Sequence, residues 1–250
     1  MFVAASSECF SDLPWDEMLD RLVDLQFTAF ELAIHEQGGR LKPSEVHADL
    51  DRAIDLCRST RRLTLCALDI DIQAEGEEYY RQFTSCCKLA KAAKVVALSV
   101  PAGELGTPFN AEVERLRELV AIASFEGVLV GVKTTTGHVT QDPDTTKVLC
   151  DNVKGLGVTL DPSHFVFGPH QGGSFDQILK YVIHVHLRDS TKDALQVRVG
   201  QGEIEYGRLI SQLAKVHYKR ALSIEITPMD DVDHAAEMRK MRLLLESLLI

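Results

Sequence analysis

The sequence predicts an α/β fold, a (β/α)8 barrel in which eight parallel strands alternate with helices. Three observations predict it. Eight short apolar segments begin about 25 to 40 residues apart, the length of one strand–helix unit. Several of them, such as VVALSV and GVLVGV, are apolar on both faces, as expected of parallel strands between a packed interior and an outer layer of helices. The chain has 250 residues, 45% of them hydrophobic, which is the usual size of one such barrel.

The eight predicted strands follow the chain in order, each separated from the next by a helical pattern. They are Phe2–Ala5, Ala29–Ile34, Leu63–Ile70, Lys94–Val100, Val128–Val132, Gly157–Leu160, Val182–Leu187 and Ala221–Ile226. No linker or low-complexity tract interrupts the series, so the sequence predicts one domain over residues 1–250. An open doubly wound sheet is the alternative. The first strand–helix turn lacks the glycine fingerprint for phosphate, which argues against that alternative.

Helix start signals support the same order of elements. Pro14 and Pro43 stand at predicted first helical positions, and Asp142 is a predicted N-cap followed by Pro143. The last helix is predicted to run from about residue 233 to residue 249.

Composition limits the classes of partner. The formal net charge is -10, whereas nucleic-acid binding needs clustered Lys and Arg, so we expect no nucleic acid and a small neutral or metal-chelated molecule instead. No apolar run approaches the length of a membrane span, so no membrane contact is expected.

The six cysteines form no C-x-x-C pair and are interpreted as reduced, mostly buried thiols of a cytoplasmic protein. Short loops leave open a homo-oligomer in which a second copy completes the pocket.

In a (β/α)8 barrel, functional side chains project from the C-terminal ends of the strands. These positions carry many ionisable residues: Glu31, His35, Asp69, Asp71, Lys133, Asp161, His164, His184, His186, Asp189 and Glu225. The sequence therefore predicts one polar mouth, at which Glu31, His35 and His164 are candidates for substrate contact.

Two units of this set have structural as well as functional interpretations. Asp161 followed three residues later by His164 suits a metal or an acid/base pair, but Asp-Pro-Ser also favours a capped turn. His184 and His186 share one face of a strand; His186 is the better ligand candidate, and His184 is more typical of a hydrogen-bonded core histidine. Asp189 orients an imidazole or caps a turn.

Two further units complete the mouth. Glu225 lies in an apolar strand, where a carboxylate is costly unless it is coordinated or ion-paired. Arg198 precedes Gly200 and Gly202 and is a candidate for contact with an anion or hydroxyl group of a substrate. The two glycines permit close backbone approach to a ligand, although a simple turn explains them better.

The ordered set LDPSHF, HVHLRD, GQGEIEYG and SIE resembles the xylose isomerase-like TIM barrel superfamily, which holds sugar-phosphate isomerases and epimerases. The resemblance implies a divalent metal (Zn, Mn, Mg or Co) held by Asp161, His186 and Glu225, with His164 beside the substrate. It also implies that Glu225 moves a proton next to a carbonyl that the metal polarises. The family's fourth ligand, a glutamate ending strand five, falls at Lys133, whose ammonium repels a divalent cation.

Three hypotheses follow, with the isomerase favoured and turnover left open. The first is a metal-dependent sugar isomerase or epimerase. The second is a metal-free, non-catalytic or sugar-binding relative in which the Lys133 ammonium lies between Asp161 and Glu225. The third is a Schiff-base lyase or aldolase with Lys133 as the catalytic nucleophile, ranked last because nearby carboxylates raise the pKa of a lysine. A DNA-repair activity like that of endonuclease IV ranks below these, because residues 195–199 lack additional zinc ligands.

Overall fold

The computed structural model describes residues 1–170 and 173–249, and its strands close into one parallel barrel. The strands are β1 (Phe2–Ser6), β2 (Ala29–His35), β3 (Thr64–Asp71), β4 (Ala97–Val100), β5 (Leu129–Lys133), β6 (Gly157–Leu160), β7 (Val182–Leu187) and β8 (Ala221–Ile224). β1 pairs in parallel with both β2 and β8, which closes the ring. The predicted barrel is confirmed, and the open doubly wound sheet is excluded because neither β1 nor β8 is an edge.

Helices follow the strands on the outside of the barrel. Within the described ranges they are α1 (Trp15–Asp24), α2 (Pro43–Ala48), α3 (Leu50–Arg58), α4 (Gly76–Ala92), α5 (Phe109–Glu126), α6 (Pro143–Asn152), α7 (Ser163–Phe167), α8 (Tyr206–Lys215) and α9 (His234–Leu248). No helix in the described part of the chain is both long and apolar enough to cross a membrane.

Capping residues place the helix starts near their predicted positions. Asp142 accepts hydrogen bonds from the backbone N–H groups of Asp144 and Thr145, at 3.1 and 3.3 Å, and so starts α6. Pro43 is the first residue of α2, as predicted, whereas Pro14 lies one residue before α1. The last helix begins after its own cap, Asp233, which accepts a hydrogen bond from Ala236 N–H at 3.0 Å.

Strand β4 begins three residues later than predicted, at Ala97 instead of Lys94. Lys94 has a φ of 60°, and Val95 N–H donates to the Ala90 carbonyl oxygen at 2.8 Å. These residues therefore terminate α4, because a left-handed residue after a helix returns the next N–H to the last turn. Apolar character alone did not separate this helix end from the strand that follows it.

The loops after β4 and β5 support each other at the C-terminal end of the barrel. Leu105 N–H donates to Gly137 O and Val139 N–H to Gly103 O, each at 2.9 Å. Glu112 at the start of α5 is buried and accepts a hydrogen bond from Gly103 N–H at 2.9 Å. One side of the barrel mouth is thus formed by two cross-linked loops rather than by independent turns.

Candidate functional site

The C-terminal ends of the strands bring most of the predicted site residues together. β2 carries Glu31 and His35, β3 carries Asp69, β5 ends at Lys133, and β7 carries His184 and His186; Asp161 and Glu225 are the first residues after β6 and β8. Some of these side chains contact one another across the barrel: His186 lies 2.9 Å from Glu31 Oε1 and 2.7 Å from Glu225 Oε2. The predicted polar mouth is therefore present.

Glu31 lies at the bottom of this mouth and is fully buried. Its carboxylate lies 3.1 Å from His184 Nε2 and 2.9 Å from His186 Nε2, and Ser223 Oγ donates to it at 2.7 Å. Burial would raise the pKa of Glu31, but the two imidazoles hold it well below its usual range. Glu31 has no exposed surface, and its carboxylate contacts two imidazoles. The sequence led us to expect that it contacts a substrate, and in this structure it does not reach one.

The donor atoms of Glu31, His184 and His186 lie within 4.8 Å of one another, so this group could hold a metal ion. Both imidazoles contact the Glu31 carboxylate directly. His186 also contacts Glu225, with 2.7 Å between Nδ1 and Oε2. Burial would lower the pKa of His186, but Glu31 and Glu225 raise it well above its usual value, and a protonated imidazole offers a metal no lone pair.

Arg188 lies between the two carboxylates of the predicted metal site. Its Nη2 is 3.0 Å from Asp161 Oδ2 and 2.9 Å from Glu225 Oε1, and its Nε donates to Asp161 Oδ2 at 3.2 Å. The guanidinium side chain is only 11% exposed. Asp161, Arg188 and Glu225, which we call the arginine cluster, form a bridged ion pair in which one cation serves two carboxylates.

The divalent metal implied by the resemblance does not fit these residues as they are arranged. Within the described residues, Asp161, His186 and Glu225 do not offer three donor atoms within 4.8 Å of one another. Glu225 Oε2 is buried without a hydrogen bond in the described part of the chain, but the charged His186 ring lies against it. The Arg188 guanidinium has no lone pair, and its charge repels a cation from the oxygens that it contacts.

Lys133 lies on the opposite side of the mouth, against Asp69. Its Nζ is 2.9 Å from Asp69 Oδ2, and the same oxygen is 3.0 Å from His35 Nε2. We call His35, Asp69 and Lys133 the lysine cluster. The prediction that Lys133 lies between Asp161 and Glu225 is therefore corrected. Lys133, at the end of β5, contacts the Asp69 carboxylate of β3, and Arg188, which directly follows β7, lies between Asp161 and Glu225.

The surroundings of Lys133 keep it protonated. Burial would lower the pKa of Lys133, but Asp69 and Glu225 raise it above its usual value. A Schiff base requires a neutral amine, so this environment works against the lyase or aldolase hypothesis.

His164 lies beside the arginine cluster and is held by the loop after β5. Thr136 N–H donates to its Nδ1 at 3.1 Å, so its proton is on Nε2, which lies 3.8 Å from Asp161 Oδ2. Burial lowers the pKa of His164, and the ring is therefore neutral at pH 7. His164 is thus a neutral imidazole whose N–H faces a carboxylate of the mouth.

Two predicted residues have other roles. Arg198 is exposed and donates to the carbonyl oxygen of Asp231, at 3.1 Å, outside both clusters. Asp189 caps a turn and does not orient an imidazole: its Oδ2 accepts from Gly200 N–H and Gly202 N–H at 2.7 and 3.1 Å. A Cβ on Gly202 would lie 2.0 Å from Asp189 Oδ1. The missing side chain at Gly202 therefore makes room for Asp189 and not for a ligand.

Sequence reasoning missed three residues of the site. Arg188 stands inside the HVHLRD motif, two residues after His186. The available signal was a positive charge at the end of a strand whose two neighbouring strands end in predicted carboxylate ligands. Ser223 occupies the motif SIE but gives no charge signal. Glu8 follows β1 and lies 4.0 Å from His35 Nδ1; burial raises its pKa.

Solved structures share this fold over almost the whole chain. A xylose isomerase-like TIM barrel protein from Mycobacterium smegmatis, in complex with magnesium, superposes with a TM-score of 0.78 at 16% identity and covers 99% of this chain and 97% of its own. A D-tagatose 3-epimerase-like protein gives 0.74 at 17% identity, covering 100% of this chain and 97% of its own. The 3-keto-D-glucoside 4-epimerase from E. coli gives 0.75 at 15% identity, covering 99% of both chains.

Identities this low establish the fold alone. No curated protein matches the chain. The family model described as xylose isomerase-like TIM barrel matches residues 19–246, which is most of the sequence. The chain therefore belongs to the xylose isomerase-like TIM barrel superfamily.

Proposed function

We propose that the chain binds a small carbohydrate at the barrel mouth and acts on it as an isomerase or epimerase. The observation that carries the proposal is that partly exposed polar groups from opposite strands surround one opening. The side chains of Lys133, Glu225 and His164 are 21%, 19% and 11% exposed there. Closely spaced donors and acceptors of this kind suit a molecule with several hydroxyl groups and a carbonyl.

The chemistry would be a proton transfer next to the carbonyl. Glu225 takes the proton from the carbon, the C–H electrons form the enediol double bond, and the carbonyl oxygen becomes negative. Lys133 and the Nε2–H of His164 donate hydrogen bonds to that oxygen. Delivery of a proton to the opposite face of the same carbon, for which the Lys133 ammonium is the available acid, completes an epimerisation, and Glu225 and Lys133 then regain their starting charges by proton exchange with water. In an isomerisation, Glu225 returns its proton to the neighbouring carbon while the hydroxyl proton of the first carbon moves to the enediolate oxygen.

The charge state of Glu225 suits a base but limits its strength. Burial would raise the pKa of Glu225, but Arg188 and His186 hold it well below its usual range, so the carboxylate is ionised at neutral pH. A carboxylate with so low a pKa is a weak base, because catalytic efficiency is best when the pKa lies near the working pH. A substrate that displaces Arg188 from Glu225 would restore basicity.

Metal dependence is not part of this proposal. Relatives of this fold include one solved with magnesium, and an ion in such a site would polarise the carbonyl. The arginine cluster supplies a fixed cation at the corresponding carboxylates of this chain. No step above passes through a bound ion.

A second candidate, carbohydrate binding without turnover, is favoured by one observation. Glu225 contacts both Arg188 and His186, so the candidate base is held by two positive groups. If those contacts persist in the complex, the sugar is bound but its C–H proton stays in place.

Deuterium exchange separates the two candidates. The protein is incubated in D2O with a panel of ketoses, aldoses and their phosphates, and NMR follows deuterium uptake at the carbon next to the carbonyl together with changes in the ligand signals. We expect exchange with at least one sugar, lost in Glu225→Gln and retained in the matched control Glu203→Gln, whose residue is exposed. Binding without exchange supports the second candidate, and no binding across the panel rejects both.

A further inference from the structure

The arginine cluster raises the question of what neutralises the carboxylates that the family uses for a metal. We infer that the Arg188 guanidinium is a built-in substitute for that ion, so that the site between β6, β7 and β8 excludes divalent metals. This goes beyond the proposed function, since it concerns what occupies the site and not which sugar it takes.

The carboxylate oxygens of Asp161 are already engaged by donors from the protein. Oδ1 accepts hydrogen bonds from Ser163, with 2.9 Å to the backbone nitrogen and a short contact to Oγ. Oδ2 faces Arg188 Nε and Nη2 at 3.2 and 3.0 Å. On the other side of the guanidinium, Glu225 Oε1 accepts from Nη2 at 2.9 Å. A metal ion could bind Asp161 Oδ2 and Glu225 Oε1 together only by displacing the arginine.

The position of Arg188 in the sequence explains how it reaches the site. Residues two apart on a strand share a face, so Arg188 continues the line of His184 and His186 one step beyond the end of β7. Its planar fork can contact carboxylates from β6 and β8 at once, which a lysine ammonium at the same place does less well. The side chain is largely buried, as expected of an integral part of the site.

The charges of the mouth support the same inference. Lys133 replaces a carboxylate on β5 with a positive charge, and Arg188 adds a second, so the two side chains together carry the charge of one divalent ion. Of the two cations, Arg188 contacts Glu225 directly, with 2.9 Å between Nη2 and Oε1. A divalent ion added to this set would meet two fixed positive charges that a protein with glutamate on β5 does not have.

Titration with Mn²⁺ tests the inference without any sugar, so its outcome is independent of the proposed function. Isothermal titration calorimetry is run on the chelator-treated protein, on Asp161→Asn, on the double variant Lys133→Glu/Arg188→Met, and on the control Arg208→Met, whose arginine is exposed on α8. Circular dichroism and a thermal melt establish that each variant is folded.

We expect weak Mn²⁺ binding, or none, that is the same in the wild type, Asp161→Asn and Arg208→Met. The double variant should bind Mn²⁺ about 100-fold tighter than the wild type, because it restores a carboxylate as the fourth ligand and removes the guanidinium. Adding Asp161→Asn to the double variant should abolish the gain.

Two results overturn the inference: stoichiometric Mn²⁺ on the wild type that Asp161→Asn removes, or a folded double variant that binds no tighter than the wild type. Mn²⁺ that survives Asp161→Asn but is lost in His184→Gln would lie at Glu31, His184 and His186, and would agree with exclusion from the arginine cluster. Because the wild-type and Asp161→Asn titrations need no double variant, the test stands even if that variant fails to fold.

Discussion

Two cation–carboxylate clusters face each other across the barrel mouth, and they differ in how firmly the cation is held. In the arginine cluster, one guanidinium contacts carboxylates from two strands and is 11% exposed. In the lysine cluster, the Lys133 ammonium contacts one carboxylate and is 21% exposed. The first arrangement fixes the cation as part of the structure, whereas the second leaves an ammonium with unused donors near the opening. We therefore assign ligand contact mainly to Lys133 and charge compensation mainly to Arg188.

The largest expected effect is that of Arg188→Ala. This change leaves the carboxylates of Asp161 and Glu225, whose side chains are 5% and 19% exposed, without their shared partner. We expect the free energy of unfolding to fall by about 3–5 kcal/mol. Urea denaturation at pH 7 measures it. Arg208→Ala is the control, because its pair with Glu205 is mostly exposed and should contribute under about 1 kcal/mol. Equal effects of the two substitutions would remove the basis for calling Arg188 structural.

Lys133→Ala should cost less than Arg188→Ala. If Lys133 lay between two carboxylates, as the sequence led us to expect, a loss of about 3–5 kcal/mol would follow. The structure gives it one direct carboxylate partner, and His35 remains beside Asp69 after the substitution. We expect a loss of about 1–3 kcal/mol in the same urea experiment. A loss as large as that of Arg188→Ala would contradict the difference between the clusters.

The two clusters should also be coupled through charge. Arg188 and Lys133 both lower the pKa of Glu225, and like charges at such a site repel each other. Either single substitution removes this repulsion, so the sum of the two single losses counts its removal twice, whereas the double substitution counts it once. The double variant Lys133→Ala/Arg188→Ala should therefore lose about 0.5–1 kcal/mol more than the sum of the single losses. A double-mutant cycle by urea denaturation measures this term. Strict additivity would show that the clusters are independent.

The smallest effect concerns pH and the lysine cluster alone. Burial would lower the pKa of His35, but the hydrogen bond and charge of Asp69 raise it above its usual value of 6.5. A raised folded-state pKa means that this stabilisation is complete below the unfolded pKa and is lost as pH rises through the folded pKa. The difference in unfolding free energy between wild type and His35→Gln should therefore shrink as pH rises above 6.5. A difference that grows with pH would reverse the assignment.

Local patterns predicted the barrel well because several strands are apolar on both faces and several helices have their own start signals. Asp142 and Asp233 cap helices where the sequence places them. The exception is β4, where apolar residues continue from a helix end into a strand, so composition alone could not mark the boundary. The polar mouth was predictable for the same reason as the barrel, since the end of each strand can be read from the sequence.

Which charged side chains pair with each other inside the mouth was not predictable from local sequence patterns. The sequence interpretation joined Lys133 to Asp161 and Glu225, whereas the structure joins it to Asp69. Glu31 was expected at the surface of the mouth but is buried beneath His184 and His186. Side-chain length, strand stagger and competition among several carboxylates decide these contacts, and none of them is visible in a linear motif.

By itself, the sequence determined which residues stand at the ends of the strands, and hence that acidic, basic and imidazole groups share one opening. Only the tertiary structure decided which cation neutralises which carboxylate. The physical reason is that alternation along a strand is a local property, whereas an ion pair depends on the distance between atoms that closure of the barrel brings together from residues far apart in the chain.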